Sequence, residues 1–241
     1  MGARNHYMRR GAWACGRLAV LGLVLFASAC STTQQASIQQ MDIKCSFLGS
    51  DCDQLIAGEP GQAALRYVNL HALWTQYQKI WINPVIFWGS ETTKVLAADQ
   101  HMLTDYFHQV LREELGKKFE LADQAGPGVM QLQVAITDVE GATRGLRTIS
   151  MLWPQARVLN TLKYAATGTY AFIGGAQTEV KLTDAVSGQV LAEGMDKRIG
   201  GGSLEAAMQW QWGDAKNAMK AWAVQLADRV SSWTSGAVPP A

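Results

Sequence analysis

Two helical stripes that flank a run of alternating residues constrain the fold of this 241-residue chain more than any other feature. Apolar residues recur at helical spacing from Asp99, the expected N-cap, to Phe119. A second such stripe runs from Asp214 to about Trp233. Between the two, residues 129–139 alternate as in a strand with one polar face. The apolar positions are Leu103, Phe107, Val110, Leu111 and Leu115; then Met130, Leu132, Val134 and Ile136; then Met219, Trp222, Ala223, Leu226, Val230 and Trp233.

Two further stretches complete the predicted sheet. Lys79–Trp88 is rich in β-branched and aromatic residues, and the residues that would point to either face of a strand are apolar. This pattern predicts a strand covered on both faces. Pro84 cannot donate to a ladder, so the strand is expected to break, bulge or lie at an edge there. Residues 178–198 predict a hairpin that turns at Ser187-Gly188. This order of elements predicts an α/β fold of the α+β type, with helices packed on a mixed or mostly antiparallel sheet.

The first 30 residues predict export. Leu18–Cys30 is a short apolar run that ends in small residues and a cysteine, and no acidic residue precedes it. Such a run behind basic residues is a secretory signal. The cysteine after Ala29 resembles a bacterial lipoprotein signal, which is cut before the lipid-bearing cysteine, although the usual leucine is Ala27 here. A signal without lipid, cut at Ala29, is the alternative. The basic residues are Arg4, Arg9, Arg10 and Arg17.

The predicted organisation follows from that cut. Residues 1–29 are the removed signal, and residues 30–60 hold the lipidated Cys30, a flexible polar tether over Ser31–Gln40 and a turn-rich arm. Residues 61–241 form a single α/β domain with a basic insertion at about 141–178. The serine after Cys30 favours the outer membrane, a rule taken from the lipoprotein resemblance. We therefore expect a protein anchored in the outer membrane by its N-terminal lipid, palmitate included, on the periplasmic face.

The charge of the chain argues against a nucleic-acid partner, and its cysteine content favours a disulfide. Without the four signal arginines, 17 Lys plus Arg face 20 Asp plus Glu, a formal charge of −3. A nucleic-acid-binding protein is usually strongly basic, so no nucleic-acid partner is expected. Cys45 and Cys52 lie close together in an oxidising compartment, which favours a disulfide. A metal pair is the alternative, but no further histidine or cysteine lies near enough in sequence to complete a zinc shell.

The chain shows no familiar catalytic motif. The patterns G-x-S-x-G, H-E-x-x-H and the EF-hand loop are missing from the sequence, so we expect no enzyme and no cofactor. His101, Asp105 and His108 share the polar face of the first helix and could hold a metal. A solvated helix face is the more ordinary use of such residues, and it is the interpretation that we prefer.

Residues 141–178 are positively charged, whereas the chain without its signal is negatively charged. They include no Asp or Glu, and four basic residues lie among apolar and aromatic ones. One interpretation is an insertion that lies on anionic lipid headgroups. The other, which we favour, is that its apolar residues cover the open face of the sheet and its charges are solvated. The candidates for membrane contact are Arg144, Arg147, Arg157 and Lys163.

Five segments give the chain a family resemblance: FLGSDCDQL (47–55), YQKIWINPVIFW (77–88), GPGVMQLQVAITD (126–138), FIGGAQTEVKLTDAVSGQVLAE (172–193) and AWAVQLADRV (221–230). Through them it resembles the bacterial lipoproteins catalogued as domain of unknown function 3313. The resemblance implies a fold and an envelope location but no reaction. We expect a non-enzymatic binding or assembly module with an envelope protein as partner, in an oligomeric state that the sequence leaves open. The alternative is a lipid- or envelope-polymer-handling protein that uses the basic segment.

Overall fold

The computed structural model describes residues 33–41, 43, 45–89, 93–140, 174–200 and 212–239. Within them, nine strands form one mixed sheet and two α-helices pack on it. The strands are β1 (Thr33–Gln35), β2 (Ile56–Ala57), β3 (Leu65–Val68), β4 (Lys79–Ile82), β5 (Ile86–Phe87), β6 (Glu120–Ala122), β7 (Val129–Glu140), β8 (Gly175–Asp184) and β9 (Val190–Gly200). The helices are α1 (Ala97–Gly116) and α2 (Gly213–Thr234), and short 3-10 turns occupy Ile38–Gln40, Gly49–Gln54 and Trp74–Gln76. The predicted α+β fold is confirmed.

The sheet runs in the order β2-β3-β9-β8-β7-β4-β6. The side of the sheet from β2 to β7 is antiparallel, whereas β4 pairs in parallel with both β6 and β7, and β5 pairs in parallel with β7. The β8–β9 hairpin turns at Ser187 and Gly188, as predicted, and Gly188 has the positive φ that such a turn requires. Asn83, Pro84 and Val85 separate β4 from β5, which confirms the predicted break.

The main core lies between one face of the sheet and the two helices. All five apolar positions predicted for α1 are buried, as are the four predicted for β7. In α2, Trp222 and Trp233 are also buried, and the Trp222 ring lies 5.9 Å from that of Phe107 between ring centres. Each fully buried side chain of this size contributes about 1.5–3 kcal/mol to folding. This apolar layer therefore fixes both helices on the sheet.

The N-terminal arm, residues 33–60, covers part of the opposite face. Met41 packs on Met195 of β9 in a second, smaller core. The side-chain oxygens of the buried Glu179, on β8, accept hydrogen bonds from Ser46, Phe47 and Leu48 of the arm. Because side chains alternate along a strand, Glu179 and Met195 point away from the helices.

Four details of the structure refine the predicted elements. Within the stretch expected as a tether, Thr33–Gln35 form β1 and pair with the edge of β9. Lys79–Ile82 is buried on alternate residues rather than on both faces. Helix α1 begins after Leu96, so Asp99 lies in its first turn and is not the N-cap. The last residues of the predicted insertion, from Gly175 onward, belong to β8.

Candidate functional site

An apolar pocket of about 110 Å³ lies between the sheet and the helices. The sheet contributes a floor of aliphatic side chains, and the helices contribute walls of aromatic and aliphatic ones. The floor residues are Val134, Val180, Leu182 and Ala192, and the wall residues are Phe107, Leu111, Trp222, Leu226 and Trp233. An engineered apolar cavity of about 150 Å³ stays dry and holds one benzene. The pocket therefore has room for one short apolar group rather than for a whole two-chain lipid.

Small residues on β9 leave this space open. Ala192 and Gly194 alternate with Glu193 and so face α2. A Cβ atom added at Gly194 would lie 3.4 Å from the Cβ of Ala63 and 3.6 Å from the Leu65 carbonyl oxygen, which is ordinary contact. Close packing therefore does not require glycine here, and a larger residue at either position would narrow the pocket.

Polar residues lie along the edge of the pocket that is formed by β3 and the loop before it. Arg66 of β3 is buried, and its Nε donates to the side-chain oxygen of Gln62. From α2, Gln225 and Arg229 both donate to the carbonyl oxygen of Gly61. Gly61 has a φ of +82°, a conformation that glycine adopts readily. These bonds hold the loop against the helix beside the pocket.

A buried carboxylate lies beside the pocket. The Oδ1 atom of Asp196 accepts from the Gln35 side chain at 2.6 Å and from the backbone amide of Ala64 at 3.1 Å. Its Oδ2 atom accepts from the indole of Trp222 at 2.7 Å. Burial raises the pKa of Asp196, although these hydrogen bonds and the charge of Arg198 act in the opposite direction. Asp196 thus joins β1, the loop before β3 and α2 to β9.

On the opposite face of the sheet, a second polar cluster fastens the arm. Lys181 forms ion pairs with Asp51 and, at 3.4 Å, with Glu193, which also accepts from Gln54 at 2.6 Å. The hydrogen bond from Lys181 lowers the pKa of Asp51, whereas burial raises that of Glu193. Since every member binds another member, we assign this cluster a structural role.

Most residues singled out in the sequence do not meet in the pocket. Cys45 and Cys52 are joined as a disulfide in the arm, with Cα atoms 5.9 Å apart. His101 and Asp105 are exposed on α1, and the Nδ1 atom of His108 lies 3.2 Å from the carbonyl oxygen of Asn83. In the described part of the chain, no three histidine, cysteine or acidic residues are grouped to hold a metal.

Other predicted sites lie outside the described residues: Cys30, Arg144, Arg147, Arg157 and Lys163. Neither described helix is long and apolar enough to cross a bilayer.

The pocket itself was not predicted. The helical stripes predict its wall residues as core positions, but the space arises because two small residues on β9 meet a helix that is distant in sequence. Arg66 and Arg229 carried no motif. Only the small residues at 192 and 194, at alternating positions in a predicted strand, offered a signal.

The family model described as "Protein of unknown function (DUF3313)" matches residues 45–226. The chain belongs to this family. The resemblance drawn from the five sequence segments is therefore confirmed. No curated protein matches the chain in sequence.

Several solved structures are similar to this chain at a low level. The PelC dodecamer from Paraburkholderia phytofirmans is 10% identical, with a TM-score of 0.36 over 68% of this chain and 95% of that one. The hypothetical protein CT253 from Chlamydia trachomatis is 12% identical, with a TM-score of 0.39 over 67% and 99%. Protein XCC0632 from Xanthomonas campestris is 12% identical, with a TM-score of 0.32 over 69% and 88%. Likeness at this level carries no functional argument.

Proposed function

We propose that this protein is a non-enzymatic binding module of the cell envelope that holds an apolar group of its ligand in the pocket between α2 and the sheet. The observation that carries the proposal is the pocket itself, whose floor and walls are aliphatic and aromatic. Both carboxylates beside it, Glu193 and Asp196, accept hydrogen bonds from side chains that hold the fold together. A binding role needs no further ionisable group, whereas catalysis would need convergent ones.

The affinity of such a site follows from its size. Burying about six methylene groups contributes about 5 kcal/mol at about 0.8 kcal/mol each. Lost translational and rotational freedom opposes this gain, so the pocket alone supports weak binding, and tighter binding requires additional contacts at its edge.

The location belongs to the same proposal. The signal-like start supports a lipid on Cys30 and a position on the periplasmic face of the outer membrane. Labelled palmitate should enter the wild-type protein and not the Cys30→Ala variant, and the label should fractionate with outer membranes. Label in the variant, or none in the wild type, would contradict the anchor.

Filling the pocket tests the binding role. In ligand-observed NMR, toluene should bind residues 31–241, which retain β1 and the compact unit that starts at Thr32. Ala192→Leu should abolish this binding, because the leucine side chain occupies the pocket floor. Ala57→Leu, the same change at an exposed position on β2, is the matched control. A folded wild-type protein that ignores toluene, or equal binding by Ala192→Leu, would refute the proposal.

A second candidate function is membrane contact by the basic segment, and the topology favours it. The chain leaves the sheet at Glu140 and returns at Gly175, and these two residues pair with each other. Gly175 also pairs with Ile199 of β9. The residue after Ile199, Gly200, pairs with Thr33 of β1. Both ends of the segment therefore lie at the sheet end where β1 starts, close in sequence to the proposed anchor.

Vesicle co-sedimentation tests this second candidate. Residues 31–241 should bind anionic vesicles in a salt-sensitive manner, because exposed charges attract headgroups within a Debye length. Changing Arg144, Arg147, Arg157 and Lys163 together to Gln should remove the binding. No binding by the folded wild type would leave the lipid as the only membrane contact proposed.

A further inference from the structure

Arg229 of α2 reaches across the edge of the pocket to the loop before β3. Its side chain lines the pocket, and its Nη2 atom donates to the carbonyl oxygen of Gly61. Gln225, one helical turn earlier on the same face of α2, also lines the pocket and donates to the same oxygen. Because Gly61 is exposed, both hydrogen bonds lie at the surface, and the two side chains cross the pocket edge between helix and loop.

The two side chains are held differently. The Oε1 atom of Gln225 also accepts from Arg198 of β9 at 3.2 Å, so both ends of this amide are fixed. Among the described residues, the bond to Gly61 is the one hydrogen bond of Arg229, and its Nε atom is buried without a partner. A buried donor of a charged group without a partner costs free energy. Arg229 regains the hydration of Nε when it turns outward, so of the two side chains it is the one that leaves readily.

The loop that receives Arg229 is fixed in place. The backbone amide of Gly58 donates to the carbonyl oxygen of Ala64 at 2.9 Å, and Gln35 donates to the carbonyl oxygen of Gln62 at 2.7 Å. A Cβ atom added at Gly58 would lie 1.9 Å from the carbonyl oxygen of Ala63, so this closure of the loop requires glycine. A passage at this edge therefore needs movement of a side chain rather than of the backbone.

The other walls of the pocket move less easily. They include Phe107, Trp222 and Trp233, which are all buried in the core between the helices and the sheet. Exposed side chains change rotamer within nanoseconds, whereas collective movements of packed elements take microseconds or longer. The edge at Arg229 is therefore the fastest route into the pocket.

We propose that Arg229 is a side-chain gate. It closes the pocket while it binds the Gly61 carbonyl oxygen, and it admits or releases a small apolar group when it turns into solvent. This inference rests on the proposed function, because it concerns access to the same pocket. The gate closes over the empty and the occupied pocket alike, so it changes the association and dissociation rates together and leaves the affinity nearly unchanged.

The kinetics of toluene binding test the gate. In NMR relaxation dispersion on residues 31–241, Arg229→Ala should raise both the association rate and the dissociation rate of toluene about tenfold, with Kd nearly unchanged. Tenfold is the lower end of the range for one hydrogen bond to a charged group, taken because Nε is unsatisfied in the closed position. Lys220→Ala, at an exposed position on the same helix outside the pocket lining, should change neither rate.

The Nε proton of Arg229 reports opening without any ligand. It is buried in the closed position, so it exchanges with water only when the side chain turns outward. Nitrogen-resolved NMR of the arginine side chains measures this exchange. Its protection factor should be at least about a hundredfold lower than that of the backbone amide of Val230, the next residue, whose side chain lies in the core.

The outcomes separate the gate from the proposed function. If toluene binds but Arg229→Ala leaves both rates unchanged, or if the Nε proton is as protected as the Val230 amide, the gate is refuted while the pocket stands. A rise in the dissociation rate alone would make Arg229 a ligand contact and would also refute the gate. Faster toluene exchange in Lys220→Ala would assign the effect to a loosened helix and count against the gate. If the folded wild type ignores toluene, the proposed function fails together with the inference.

Discussion

The buried carboxylate of Glu179 accepts four hydrogen bonds that link the N-terminal arm to the sheet, and replacing it with glutamine tests that role. Its side chain accepts from the amides of Ser46, Phe47 and Leu48 at 3.2, 2.9 and 2.8 Å, and from the Ser46 hydroxyl at 3.3 Å. The preceding Cys45 has a φ of +45°, and the three successive amides after it point at one carboxylate.

The cost of Glu179→Gln can be worked from these bonds. The glutamine side chain keeps one oxygen, which can still accept from the amides of Phe47 and Leu48. Because that oxygen is uncharged, each of these two hydrogen bonds is weakened by about 1 kcal/mol. The new amide group faces the N–H of Ser46, which is left unsatisfied at about 1–3 kcal/mol, whereas the Ser46 hydroxyl can turn to accept. We expect a loss of about 3–5 kcal/mol in the free energy that holds the arm on the sheet.

Hydrogen exchange measures that free energy where it acts. The amides of Phe47 and Leu48 should exchange about a hundredfold to about four-thousandfold faster in Glu179→Gln, since each 1.4 kcal/mol is tenfold. Glu59→Gln, at an exposed position in the same arm, is the control. Equal protection of the two amides in Glu179→Gln and wild type would refute the argument from the charged hydrogen bonds.

Three further outcomes test other parts of the fold. Reducing the arm disulfide, which closes a loop with a sequence separation of 7, should cost about 2.5 kcal/mol of unfolding free energy in urea titrations. Burial and a hydrogen bond to Asp184 raise the pKa of Tyr77 to about 12 from its ordinary value of 10.0. Unfolded Tyr77 therefore loses its proton first, and stability should fall as pH rises between these values, with a smaller fall in Tyr77→Phe. Leu115→Ala should destabilise by about 2–5 kcal/mol in thermal unfolding, whereas exposed Leu96→Ala should change little.

The elements that were predicted correctly are those whose pattern is local. In α1 the residues that face the core are apolar and recur about once per helical turn, and in β7 they recur at every second position. Both periods can be read directly from the sequence. Pro84 and the Ser187-Gly188 turn act through the backbone of their own segments. None of these features depends on a partner distant in sequence.

The features that were missed depend on distant partners. β1 has the sequence Thr-Gln-Gln and no apolar alternation, because it completes an edge of β9 that was already formed. Glu179 occupies a polar position in an alternating strand, and the arm that covers it lies more than 130 positions away in sequence. The pocket likewise combines a gap on β9 with residues from β3 and α2. Periodicity shows which face of a strand is polar but not what covers that face.

The pairing of Thr33 with Gly200 limits how far the pocket can stand from a bilayer. An extended chain spans at most about 3.6 Å per residue, so a lipid on Cys30, as proposed, holds Gln35 within about 18 Å of the anchor. The Gln35 side chain donates to the carbonyl oxygen of Gln62, one of the residues that line the pocket, at 2.7 Å. Because a short linker keeps the pocket near the membrane, the pocket would meet apolar ligands at their concentration in the adjacent membrane leaflet rather than in the surrounding water.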